Sequence, residues 1–210
     1  MDNLTELQLD ALKEVCSMGS GHAATAISGM VKRKMTMSIP NIKLVPIGQV
    51  SAVIGNPEML VAGVYCKIMG GVSGGFLLMF PRESAFGLCD ILLSKERGTT
   101  KLLDEIDKSA LQETGNIIAG AFVSVLAKVM RRNLFISVPK FAFDMAGAII
   151  DFILIELAEA ADQAVVLEIV FSDVPQTISG KFFILPDPGS LKLLLEAVSA
   201  ESGNKEVGDQ

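Results

Sequence analysis

Ser109, Glu113 and Asn116 are the residues in this sequence best placed to do chemistry together. Their spacing of i, i+4 and i+7 stacks them on successive turns along one side of an α-helix. A carboxylate offers a charged acceptor. A carboxamide one turn away both donates and accepts hydrogen bonds while carrying no charge. Such a pair on its own is an ordinary solvated surface. Here its surroundings are small or apolar (Gly115, Ala119, Gly120), where an ordinary solvated face would carry a lace of Lys and Glu. A bare flank of this kind suits close approach by another protein.

The stripe has a counterpart. Residues 10–40 and 109–139 align without a gap, and Ala11/Ala110, Leu12/Leu111, Glu14/Glu113, Gly21/Gly120, Arg33/Arg132, Ser38/Ser137 and Pro40/Pro139 are identical. The first copy carries Asp10 and Glu14 at the same spacing, with Ser17 where the second has Asn116. A repeated unit predicts two similar halves, so a polar position that differs between them is a candidate for function.

Two long helices must carry these stripes. Leu111, Thr114, Ile118, Ala121, Phe122, Val125 and Val129 fall on one apolar face, as do Leu12, Val15, Gly19, Ala23, Ala26 and Met30 in the first copy. Both helices are expected to reach the basic ends at residues 32–34 and 131–132, where positive charge suits a helix C-terminus. Short strands ending in proline follow, at residues 35–40 and 134–139. Each half then carries a hairpin, 61–68 with 74–80 and 164–171 with 178–185, the second closed by a loop containing Pro175. Helices are predicted at 83–93, 189–199 and 144–157, and an extended segment at 42–54. The run G-G-V-S-G-G at 70–75 lacks the Lys-Ser/Thr of a phosphate-binding loop and reads as a hairpin turn.

This order predicts an α+β fold: an internally duplicated pseudo-twofold unit, with a largely antiparallel sheet shared by both halves and two long equivalent helices packed on it. One domain is expected over residues 1–200, built from repeats at about 4–94 and 103–199. The polar tail, 201–210, reads as disordered.

Bulk properties narrow the function. The 210 residues are half hydrophobic and carry a formal charge of −6, so the chain can bury a large core and has no basic footprint for nucleic acid. Cys16, Cys66 and Cys89 are widely spaced and read as small buried residues of a reducing compartment. His22, the one histidine, reads as a packed core residue. No intrinsic metal site is expected. The acidic N-terminus lacks the apolar core of a signal peptide, and the most apolar run, 141–155, is too short to span a bilayer. A cytoplasmic protein without membrane insertion is expected. Close to Glu113 there is no histidine or second carboxylate, which disfavours acid–base chemistry on a small molecule.

The duplicated pattern [D/S]-x-x-x-E-x-x-N resembles that of the CheC/FliY/CheX family of chemotaxis phosphatases, its CheC branch above all. Flanking segments extend the likeness over nearly the whole chain: L-D-A-L-K-E-V (9–15), A-A-T-A-I-S (23–28), S-I-P-N (38–41), E-T-G-N-I-I-A-G (113–120) and D-M-x-x-A-I (144–149). The resemblance implies hydrolysis of the aspartyl phosphate of a CheY-like response regulator. It implies that Glu113 docks against the regulator's active-site lysine and that Asn116 orients the attacking water, with Ser109 supporting. Mg²⁺ would come with the phosphorylated partner. The first stripe (Asp10, Glu14, Ser17) departs from the pattern, since a serine hydroxyl is too short to hold a water at the same depth. His22 also replaces an asparagine of the family pattern. The alternative reading is a non-catalytic binding module, either a CheD-binding adaptor or a flagellar-switch-like component. For an adaptor, the family resemblance points to the segment 144–149, with Asp144, as the place where the CheD deamidase would bind. Only a short polar tail is expected after the second hairpin and helix, which disfavours a switch component with its extra C-terminal domain.

Overall fold

Two long helices, α1 (Glu6–Val31) and α4 (Glu105–Met130), begin and end by the same local chemistry. Each opens on a capping box. The Thr5 hydroxyl accepts the Gln8 N–H while the Gln8 side chain accepts the Thr5 N–H, and Asp104 and Asp107 reciprocate in the same way. Each closes on a basic residue in the left-handed conformation, Lys32 (φ 53°) or Arg131 (φ 50°). The basic clusters therefore sit at and just past the helix ends. The computed structural model describes residues 5–157, 163–173 and 176–206.

Between and after these helices lie β1 (Thr36–Pro46), α2 (Val50–Ile54), β2 (Leu60–Gly70), β3 (Gly74–Pro81), α3 (Arg82–Leu92), β4 (Leu134–Ile136), β5 (Lys140–Met145), α5 (Ala146–Leu157), β6 (Gln163–Asp173), β7 (Gln176–Pro186) and α6 (Pro188–Glu206). The order helix, strand, helix, strand, strand, helix occurs twice, with β4 and β5 together taking the place of β1. The strands form one antiparallel sheet in the order β1-β6-β7-β3-β2, with β4 and β5 both on the outer edge of β2. The pairing is reciprocal. The first strand of each half lies against the hairpin of the other, and β3 meets β7 in the middle, with Leu77 opposite Phe183 and Leu78 opposite Phe182. The fold is mixed α+β, as the sequence predicts.

Side chains alternate across the sheet, so each face has its own core. Val64, Phe76, Leu78, Phe80, Leu167 and Phe182 face α1, α3, α4 and α6. Val61, Leu77, Met79, Val166 and Phe183 face α2 and α5. Phe122 of α4 reaches the first core, with its ring centroid 4.8 Å from that of Phe182. It lies over Gly19 of α1, where a Cβ would stand 3.0 Å from the ring, so a small residue there lets the two helices close on each other. By length and composition α4 is apolar enough to cross a bilayer, but half of its most apolar window is buried inside the fold.

Several expectations are corrected. The segment 42–54 is not extended throughout: β1 stops at Pro46, and a 3₁₀ turn and α2 follow. The Lys181 ammonium of β7 donates to the Val53 and Ile54 carbonyls, capping α2 from a distant strand that local sequence does not reveal. Asp144 belongs to β5, and the helix expected from that residue starts at Ala146. On α1 the buried stripe advances four residues at a time through Val15, Gly19, Ala23, Ile27 and Val31, which leaves Ala26, Met30 and His22 exposed. His22 is thus no core residue. Helix α6 runs on through part of the expected disordered tail to Glu206, because an established helix adds a hydrogen bond with each further residue. Residues 207–210 and the loop residue Pro175 lie outside the described residues.

Candidate functional site

Helix α4 is seated so closely that its outer flank is set by the sheet. A Cβ on Gly115 would lie 2.4 Å from Val64 Cγ1, so only glycine lets the helix rest on β2 at this depth. Thr114 and Ile118 are buried on the same inward face, with the Thr114 hydroxyl returned to the Ala110 carbonyl at 2.9 Å. The start of the helix is held by Asp107, whose buried carboxylate takes a 2.5 Å ion pair from Lys95. That hydrogen bond holds the Lys95 ammonium above its ordinary range. Upstream, the Asp90 carboxylate gathers the connecting loop by accepting from the Gly98 N–H and from both the N–H and hydroxyl of Thr100.

Ser109, Glu113 and Asn116 emerge together on the opposite flank. Ser109 and Glu113 are exposed and Asn116 is half-buried. They line a groove of about 540 Å³, whose other side is Ile136, Ser137, Val138 and Pro139. Among the described residues neither the Glu113 carboxylate nor the Asn116 carboxamide has a hydrogen-bond partner, so both polar groups are available to a visitor. Each side carries an exposed apolar side chain: Ile106 (65% exposed) on α4 one turn before Ser109, and Val138 (83% exposed) on the facing wall. A polar stripe between exposed apolar side chains suits a protein surface better than a small solute.

Sequence reasoning found the stripe but not the wall. Residues 137–139 interrupt the edge strand between β4 and β5 and are fixed from two sides. The Ser137 N–H donates to the Lys67 carbonyl and its hydroxyl accepts the Lys67 N–H, both at 2.9 Å. From across the groove the Gln112 carboxamide donates to the Pro139 carbonyl. The identities Ser38/Ser137 and Pro40/Pro139 were the available signal, legible in the sequence only as the end of a strand.

The first stripe, Asp10, Glu14 and Ser17, is likewise exposed along α1. Asp10 is paired with Lys13 of its own helix at 2.9 Å. Asp144 does not join either stripe. It lies at the end of β5, exposed, its carboxylate accepting the Met145 N–H. It borders a second groove with Ala148 and Phe152 of α5, on the sheet face opposite α4. Cys16, Cys66 and Cys89 are buried free thiols, as expected, and burial pushes them up to about 12, 11 and 12. Among the described residues no three His, Cys, Asp or Glu side chains gather as metal ligands.

Comparison with known proteins gives these features a setting. The model of the CheC-like family matches residues 106–142, which hold both the stripe of α4 and the facing wall. The Bacillus subtilis protein named CheY-P phosphatase CheC is 30% identical over 95% of this chain and 97% of its own length. The flagellar motor switch phosphatase FliY of the same organism is 27% identical over 67% of this chain, which covers 36% of that longer protein. In three dimensions the fold superposes on Thermotoga maritima FliY with a TM-score of 0.75 over 95% of this chain and 99% of the other, at 19% identity. On the strength of an end-to-end relative at that identity, the chain belongs to the CheC-like family.

Proposed function

We propose that this protein is a phosphatase for the aspartyl phosphate of a CheY-like response regulator, acting in the cytoplasm through one site on α4. The observation that carries the reading is the groove itself: Glu113 and Asn116 line it with unengaged polar groups, across from exposed Val138. The kinship with a protein named CheY-P phosphatase supports the choice of substrate.

Phosphoryl transfer asks the protein mainly for positioning and charge stabilisation. The phosphorylated regulator brings its own Mg²⁺, lysine and acyl phosphate. Glu113 meets that lysine and fixes the register of the two proteins, with Ser109 completing the polar edge one turn earlier. Asn116 reaches the phosphoryl group, its Oδ1 accepting from a water and its Nδ2 donating, so that the water oxygen lies in line with the phosphorus–carboxylate bond. Attack forms the new P–O bond as the old one breaks, releasing inorganic phosphate and the free aspartate. The uncharged amide holds the water without repelling the phosphate.

Ser17 is too short to hold that water, so the first stripe is the weaker site. The test mixes the protein with Mg²⁺ and a phosphorylated CheY-like regulator and follows phosphate loss. The expected result is acceleration by the wild type, loss of it in Asn116→Ala, and near-full activity in Ser17→Ala. Equal losses from the two substitutions would overturn the single-site reading.

A second reading, a binding module, draws on the other groove. There Asp144, next to exposed Met145, shares the groove with exposed Phe152, a surface with no part in the first site. CheD is the partner this reading would place there. Retained regulator binding without accelerated phosphate loss would favour it.

A further inference from the structure

The two stripes differ at more than Asn116 and Ser17. In the second half the residues one helical turn apart are Ser109 and Gln112, and in the first they are Asp10 and Lys13. That exchange alters where the longer side chain goes. Lys13 is drawn along its own helix to Asp10 at 2.9 Å. Gln112 has no carboxylate at the equivalent position and instead crosses the groove to the Pro139 carbonyl. The strands differ in degree: β1 continues past Pro40 with a register irregularity between Ser38 and Asn41, whereas its counterpart is broken at residues 137–139 into β4 and β5.

We propose that Gln112 is a positioning residue for the groove, and that the pair Ser109 and Gln112, together with Asn116, makes the second stripe the working one. This rests on the phosphatase reading above and adds to it a residue that touches neither phosphate nor water. Its carboxamide fixes the wall of residues 137–139 from the helix side while Ser137 fixes it from β2. The wall then presents Val138 at a constant distance from Glu113. A wall held on one side only would sample many positions, and a docking partner would have to select among them. The cost therefore falls on binding and leaves the chemical step alone.

Gln112→Met keeps the length of the side chain and removes the donor. With the phosphorylated regulator and Mg²⁺, this variant is expected to raise KM roughly five- to tenfold, the effect of one lost hydrogen bond, with kcat within about twofold of wild type. Its melting midpoint should fall by no more than about 4 °C. Val138→Asp, on an exposed residue, should raise KM similarly without moving the melting midpoint. Asn116→Ala measured alongside should lower kcat instead. An unchanged KM in Gln112→Met, or a fall in kcat equal to that of Asn116→Ala, would overturn the proposal. Amide exchange reads the tether without any catalysis: the Ser137 and Lys140 amides should exchange at least about fivefold faster in Gln112→Met. Unchanged exchange would sink the tether even if the wild type proved to be no phosphatase. Wild-type inactivity with faster exchange in the variant would sink only the functional reading.

Discussion

Gly115 of α4 lies against Val64 of β2 so tightly that a methyl group on it would stand 2.4 Å from one valine methyl and 2.7 Å from the valine Cβ. Val64 cannot yield by turning, because its branched Cβ is itself in the contact. The helix bearing Glu113 and Asn116 is thereby set by contact with the sheet. Gly115→Ala should destabilise the fold by about 1–3 kcal/mol and push the stripe outward. Denaturant unfolding would measure the first effect, and weaker acceleration of phosphate loss the second. A stable, fully active Ala variant would contradict this account.

Glu113 and Asn116 have different tasks in the proposed site. Glu113→Gln removes the charge proposed to meet a lysine on the partner, so its effect should fall on KM, by roughly tenfold, and should shrink as salt is added. Asn116→Ala should act on kcat with little salt dependence. Steady-state kinetics at two ionic strengths would separate them.

Burial alone would raise the Asp90 carboxyl. The hydrogen bonds from Thr100 and Gly98 outweigh it and hold the group below its ordinary range. A carboxylate depressed on folding contributes stability above its unfolded pKa of about 3.9 and loses it as pH falls through the lower folded value. Acid should therefore weaken the fold from about pH 4 downward. Asp90→Asn should be less stable at pH 7 and show a shallower loss below pH 4. Thermal melts across that range would test the sign.

Two glycines on the exposed side of α1, Gly21 and Gly29, have nothing within 4 Å of where a Cβ would project. In a helix interior such a glycine costs about 0.5–1 kcal/mol relative to alanine. Gly21→Ala and Gly29→Ala should each raise stability by roughly that amount without touching activity at α4. Loss of stability in either would contradict the open space around these positions.

Where periodicity was strong, the sequence read true. The helices with Leu12 and Leu111 at their cores, both hairpins and the polar stripe follow from spacing alone. What escaped depends on partners far along the chain. The short helix α2 is capped by Lys181 of β7, and the wall beside Asn116 is made by Ser137 meeting Lys67 and by Gln112 meeting Pro139. No local pattern announces such contacts. His22 leaves the expected core for a different reason: the buried stripe of α1 advances in steps of four and turns away from it. At Asp144 the apolar run that follows masks the strand that ends at Met145, so the sequence pattern there reads as helix.

The exchange of first strands between the halves has a consequence for any attempt to cut the molecule in two. Residues 1–94 alone would hold β1 with no neighbour and β2 with a bare edge, each asking for a strand that only the other fragment or a second copy can provide. Nicking the connector should leave an entwined pair that stays associated, and a half produced by itself should be driven to dimerise or aggregate.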